Sequence, residues 1–114
     1  MNLLEETKEA IKNSGHTISD IIFIGSENKG YSCEWELFEI LANRDYSSGF
    51  GSQKVEEDLI IVFSDGGKLT RGEYDGSEWW ELSMPFVMPE KKIPIKSLFN
   101  ESLFGQYGYE MDNE

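Results

Sequence analysis

The sequence is short of the residues that build reactive centres. Among its 114 residues there is one cysteine, Cys33, and one histidine, His16. A single cysteine excludes an intrachain disulfide and any thiolate metal cluster. A single histidine excludes a site that needs two imidazoles. No apolar run approaches the roughly 20 residues of a membrane-spanning helix. Basic residues are scarce as well: ten Lys and Arg stand against twenty-two Asp and Glu, a formal charge of −12. The pI is near 4.4. That balance disfavours direct binding to nucleic-acid phosphates or anionic lipid. Residues 1–14 carry Glu5, Glu6 and Glu9, which a signal peptide does not tolerate, so the chain reads as cytoplasmic.

What is present supports a folded core. Apolar residues make up 39% and aromatics 13%, too many for a disordered acidic chain, and the length is that of one domain. Leu3, Leu4, Thr7, Ala10 and Ile11 recur at helical spacing, with Gly15 as a stop, so a helix is expected over 3–13. The β-branched run over 20–25 reads as a strand. Ser32 is a candidate N-cap for a helix over 33–43, with Trp35, Phe38, Leu41 and Ala42 inward and Glu34 in the first turn. The apolar run 58–63 reads as a central strand covered on both faces. Strands over 68–74 and 78–82 flank Asp75-Gly76, the dipeptide of a type I′ turn. Ser97 caps a possible last helix over 97–104. The expected fold class is α+β, an antiparallel sheet of three or four strands with two or three short helices on one face. The expected domain runs over 1–104, with a flexible acidic tail over 105–114.

A two-residue turn at Asp75-Gly76 sets the hairpin register. Glu73 then faces Glu78, Gly72 faces Trp79, Arg71 faces Trp80, and Leu69 faces Leu82. A tryptophan over a strand glycine is a stabilising device, and Arg71 is placed for a cation–π contact with Trp80. Glu73 opposite Glu78, with Asp75 between, gathers three carboxylates at the tip. They either bind a cation or a basic partner, or form an ordinary solvated hairpin end. Trp79 and Trp80 point to opposite faces, one into the core. The other is either an interface anchor or is covered by the segment between Pro85 and Pro94 or by the last helix. The second course also buries Phe86, Val87, Met88, Ile93 and Ile95.

Catalytic and cofactor signatures fail on spacing. Gly49-Phe-Gly51 has Lys54 where a third glycine of a phosphate loop belongs, and Gly25-Ser-Glu-Asn-Lys-Gly30 has Tyr31 in place of the P-loop lysine. His16 with Cys33 or a serine is the available base–nucleophile pairing. A lone histidine after a helix-stop glycine is ordinarily a cap or a core hydrogen-bonder. Cys33 in the first turn of a helix has a lowered pKa, or is simply a small buried residue. No catalytic residue, cofactor or metal is expected, and the protein reads as a non-enzyme.

Glu73-Tyr-Asp-Gly-Ser-Glu-Trp-Trp-Glu81 resembles a motif of small bacteriophage and prophage proteins. So do Ser14-Gly-His-Thr17, Trp35-Glu-Leu-Phe38 and Tyr46-Ser-Ser-Gly-Phe-Gly51, a likeness running from about Ser14 to Phe86. The resemblance implies a mobile-element origin and a bacterial host cytoplasm, and it carries no reaction with it.

The acids lie in several clusters: Glu34, Glu36 and Glu39 on the second helix, Glu56, Glu57 and Asp58 before the central strand, and Glu73, Asp75 and Glu78 at the hairpin. Together with Trp80 they are the candidate partner-binding residues. One reading is solubility. The sharper one is a surface offered to a basic groove that evolved for phosphates. The expected function is therefore protein–protein binding, as an inhibitor of a host nucleic-acid-binding defence system of anti-CRISPR or anti-restriction type. The alternative is a phage accessory or scaffold module without inhibitory activity. A homodimer is compatible with either.

Overall fold

The computed structural model describes residues 1–26, 28–49 and 51–99. The order is α1 (Leu3–Asn13), a 3-10 turn (Ile18–Asp20), β1 (Ile21–Ser26), α2 (Trp35–Ala42), β2 (Leu59–Phe63), β3 (Lys68–Tyr74) and β4 (Ser77–Ser83). The four strands form one sheet in the order β1-β2-β3-β4, and every neighbouring pair is antiparallel. The class is α+β, with two α-helices.

The two helices begin differently: α1 has a side-chain cap, whereas the α2 cap residue makes no such hydrogen bond. In α1 the Asn2 side chain accepts from Glu5 N–H at 3.0 Å, while Glu5 and Glu6 meet the positive end of the helix. α2 is shorter than the expected 33–43, and Glu34, not Ser32, holds its cap position. Ser32 is committed elsewhere, in a bridge to Gly25, and Cys33 N–H donates to Ile24 at 3.0 Å. The chain stays extended along β1 for two more residues before it can coil.

The core lies between the helices and one sheet face. Leu4 and Ile11 of α1 and Phe38 and Ala42 of α2 close over Ile24, Ile61, Phe63 and Leu69. Ile61 and Phe63 are 0% exposed. On the second face Ile60 is buried but Val62 is only half-buried, so cover there is partial. The β3–β4 hairpin pairs Gly72 with Trp79, Arg71 with Trp80 and Leu69 with Leu82. Asp75 at φ 50° and Gly76 at φ 86° supply the two left-handed residues that a tight hairpin turn needs. Trp79 stacks over Gly72, where a Cβ would collide with its indole.

The segment after β4 does not return to the second face. Phe86, Val87, Ile93 and Ile95 are all exposed, which overturns the expectation that this stretch covers the outer tryptophan. Met84 and Pro85 lie against the β2–β3 turn, at Gly67 and Gly66. Its three prolines hold the chain extended and deny it ladder hydrogen bonds. Ser97–Phe99 is not helical, and the remainder of the expected last helix, like the tail over 105–114, lies outside the described residues.

Candidate functional site

Arg71 is the one cation placed inside the molecule among the described residues. It projects from β3 onto the core face, with its side chain 0% exposed, beneath the Trp80 ring at 4.7 Å. Nη1 donates to Glu6 of α1 at 3.0 Å. Nη2 donates to the Tyr46 hydroxyl at 3.1 Å and to Glu78 at 3.4 Å. The Tyr46 hydroxyl in turn donates to Glu6. Glu78 also accepts the backbone N–H groups of Lys54 at 2.6 Å and Val55 at 3.1 Å. Trp80 donates its indole N–H to Thr7 at 2.9 Å. The knot thus ties α1, the loop after α2, β3 and β4 together.

Its electrostatics follow from burial and pairing. Burial alone would depress the Arg71 pKa, but the Tyr46 hydroxyl and the Glu6 carboxylate outweigh it and hold the guanidinium above its ordinary range. Burial, then the hydrogen bond to Glu6, pushes the Tyr46 phenol up to about 12. One guanidinium stands against two carboxylates, and the Lys54 and Val55 N–H groups share the second charge, because a buried ion needs partners.

This placement corrects two sequence expectations. Glu78 is not a solvated tip carboxylate: it is 5% exposed, because position 78 shares the inward face with Trp80. It does not repel the opposed Glu73, which turns away to accept Gly76 N–H at 2.9 Å. Of the two tryptophans, Trp80 packs against the core, whereas Trp79 is 37% exposed and donates to Glu81 at 2.9 Å.

The other candidate acids remain wholly or partly on the surface, and the topology gathers two stretches of them. Ser26 pairs with Leu59 where β1 ends and β2 begins. Ile60 pairs with Thr70, so residues 56–58 stand level with the end of β3. Glu56 and Glu57 therefore share one end of the sheet with Glu73 and Asp75, and all four are exposed. The antiparallel Gly25–Ser32 bridge and the Cys33 N–H to Ile24 carry the chain back along β1, so exposed Glu34 and Glu36 lie beside Ile18, Ile21 and Ile22, toward the other end of that strand. Glu39 lies further along α2, 3.8 Å from Lys8. Asp58 is partly covered: the Ser26 hydroxyl, then Lys29, draw its pKa below the usual carboxylate range.

A cleft of about 770 Å³ opens between α1 and β4. Glu5, Glu6, Glu9 and Asp45 line its wall, Leu69, Trp80 and Leu82 its floor, and no lysine or arginine side chain joins them. Sequence reasoning missed this cleft. The acids of α1 were visible, but their position opposite the hairpin depends on the Arg71 knot.

Ser14, His16 and Asp65 fall into a row. His16 Nδ1 is 2.9 Å from the Ser14 hydroxyl and Nε2 is 2.7 Å from Asp65. The ring stacks on Phe63 at 3.9 Å. The Ser14 hydroxyl, however, donates to the Ile11 carbonyl at 2.7 Å. A nucleophile must pass its proton to the base, and here that proton serves the end of α1. The row pins α1 to the β2–β3 turn. Both His16 ring nitrogens are engaged by Ser14 and Asp65, and Cys33 lies before α2 with its thiol pKa raised by burial and by Glu34. That overturns the expectation of a helix-lowered thiol. Among the described residues no group of three His, Cys, Asp or Glu side chains could hold a metal ion, and no helix is long and apolar enough to cross a membrane. No family model matches the chain, and no curated protein or solved structure matches it.

Proposed function

We propose that the protein acts by binding a partner protein through its acidic sheet end, as an inhibitor of a host nucleic-acid-binding defence nuclease. What supports this reading is the convergence of Glu56, Glu57, Glu73 and Asp75, from two separate stretches of sequence, on one end of the sheet. Residues 1–83 hold seventeen acids and seven bases. Three of those bases are already occupied, Arg71 internally and Lys8 and Lys29 in ion pairs. Their partners are Glu6, Glu78, Glu39 and Asp58, so the remaining acids still outnumber the remaining bases by thirteen to four. Carboxylates spread over a rigid sheet end are a fitting counterpart to a groove that holds phosphates.

The test is affinity for restriction and CRISPR nucleases at rising salt. Exposed charges attract less as the Debye length shortens, so binding should weaken steeply, and salt-insensitive binding would remove the electrostatic basis. The reading as an accessory interaction module is favoured by a different observation, the exposed apolar stretch after β4.

A further inference from the structure

β4 is an edge strand that pairs with β3 alone. The two-residue turn makes Tyr74 and Ser77 the first hydrogen-bonded pair, and such pairs alternate from there. Ser77, Trp79, Glu81 and Ser83 therefore turn their N–H and C=O groups to β3, whereas Glu78, Trp80 and Leu82 turn theirs outward. The loop after α2 covers the first part of this outer edge: Glu78 N–H donates to the Ser48 hydroxyl at 3.0 Å, and Gly49 N–H to the Gly76 carbonyl at 2.7 Å. The second part is open. Among the described residues no hydrogen bond engages the N–H or C=O groups of Trp80 or Leu82. Leu82 is 43% exposed, and the chain beyond Ser83 runs on against Gly67 and Gly66. An edge left in this state is a template for another strand.

The cleft between α1 and β4 lies beside the open part. Trp80 and Leu82 belong to its floor, and Glu5, Glu9 and Asp45, all exposed, to its wall. A strand laid antiparallel against Trp80 and Leu82 puts alternate side chains on their face of the sheet, toward α1. Lys or Arg suits those positions, with the apolar stem on Leu82 and the charged head at Glu5 and Glu9. A second copy of β4 does not suit, because two-fold pairing sets one acidic wall against the other. Residues 84–99 do not suit either. Their Lys92 and Lys96 share a strand face only with Pro94 between them, at a position whose N–H has to face β4.

We propose that the β4 edge at Trp80 and Leu82 takes up an extended basic segment of a partner protein as an added strand, with Lys or Arg at alternate positions held by the acidic wall of α1. This surface is separate from the acidic sheet end, and its test involves no nuclease, so either reading can fail without the other.

The probe is the peptide acetyl-TKVKVKT-amide, titrated into the isotope-labelled full chain. Hydrogen exchange should slow at the Trp80 and Leu82 amides. In the antiparallel pairing the peptide's lysine N–H groups face β4 and its valine N–H groups face water. Methylating the lysine amide nitrogens should therefore weaken binding about tenfold or more, whereas methylating the valine ones should not. Glu5→Gln/Glu9→Gln changes only exposed side chains and should weaken binding about threefold or more, with a smaller salt dependence. Circular dichroism checks that the fold is retained. No binding at millimolar peptide overturns the proposal. So does binding that leaves the Trp80 and Leu82 amides unprotected, or that is indifferent to which amides are methylated.

Discussion

Arg71 and Glu78 meet diagonally across the β3–β4 hairpin with both side chains 0% exposed, 3.4 Å from Nη2 to Oε1. The pair sits inside a sheet whose surface is dominated by unpaired carboxylates. One guanidinium answers two acids, Glu6 and Glu78, and its Nε has no partner among the described residues. Removing a single member leaves a buried charge uncompensated, which is more costly than never having had the pair. Arg71→Met should therefore destabilise the fold by about 3–5 kcal/mol. Urea denaturation read by tryptophan fluorescence measures this, and a loss below about 1 kcal/mol, the size of a surface pair, would show that the knot is not a structural clamp.

Tyr46 predicts the alkaline limit. Its folded pKa is raised from 10 to about 12, so the unfolded chain releases the phenolic proton first. The stabilisation is complete below about pH 10 and is lost as pH rises through about 12. Absorbance titration should show one tyrosine ionising late, together with loss of structure. Tyr46→Phe should remove that late step, and an unchanged titration would contradict the placement of the phenol.

Asp65 predicts the acid side. Its pKa is lowered first by Gly67 N–H and then by His16. A depressed carboxylate contributes stability above its unfolded pKa and loses it as pH falls through the folded value. Asp65→Asn should flatten the decline of the urea midpoint at acid pH. His16→Asn should reproduce part of that effect, since it releases α1 from the β2–β3 turn.

Gly25 is required by close approach. A Cβ there would run into the Tyr31 carbonyl, where the chain returns alongside β1 through Ser26 N–H to Tyr31 at 2.8 Å. Gly25→Ala should cost about 1–3 kcal/mol as overpacking strain and loosen the start of α2. Gly15→Ala is the control, because its Cβ meets nothing within 4 Å. Its left-handed φ of 81° limits the cost to about 1 kcal/mol.

Local signals were legible and long-range pairings were not. The spacing of Leu4, Thr7 and Ile11 located α1, and the run into Phe63 located β2. The opposed pairs that follow from a two-residue Asp75-Gly76 turn are those found in the hairpin. Ser32 misled because its bridge to Gly25 outweighs capping, a tertiary fact. Glu78 misled because its neutralisers, Arg71 and the N–H groups of Lys54 and Val55, are assembled only by the fold. The acid clusters were visible one by one, whereas their meeting at one sheet end depends on strand order.

The central claim is that this assembled acidic end occupies a nuclease's phosphate groove. Its most direct test is DNA cleavage by a panel of purified restriction and CRISPR nucleases with the protein in slight excess, beside Glu56→Lys/Glu57→Lys/Asp75→Lys. The account predicts that cleavage by a susceptible nuclease stops with the natural chain and continues with the charge-reversed one. Cleavage that proceeds unchanged across the panel, or inhibition that survives the reversal, would contradict it.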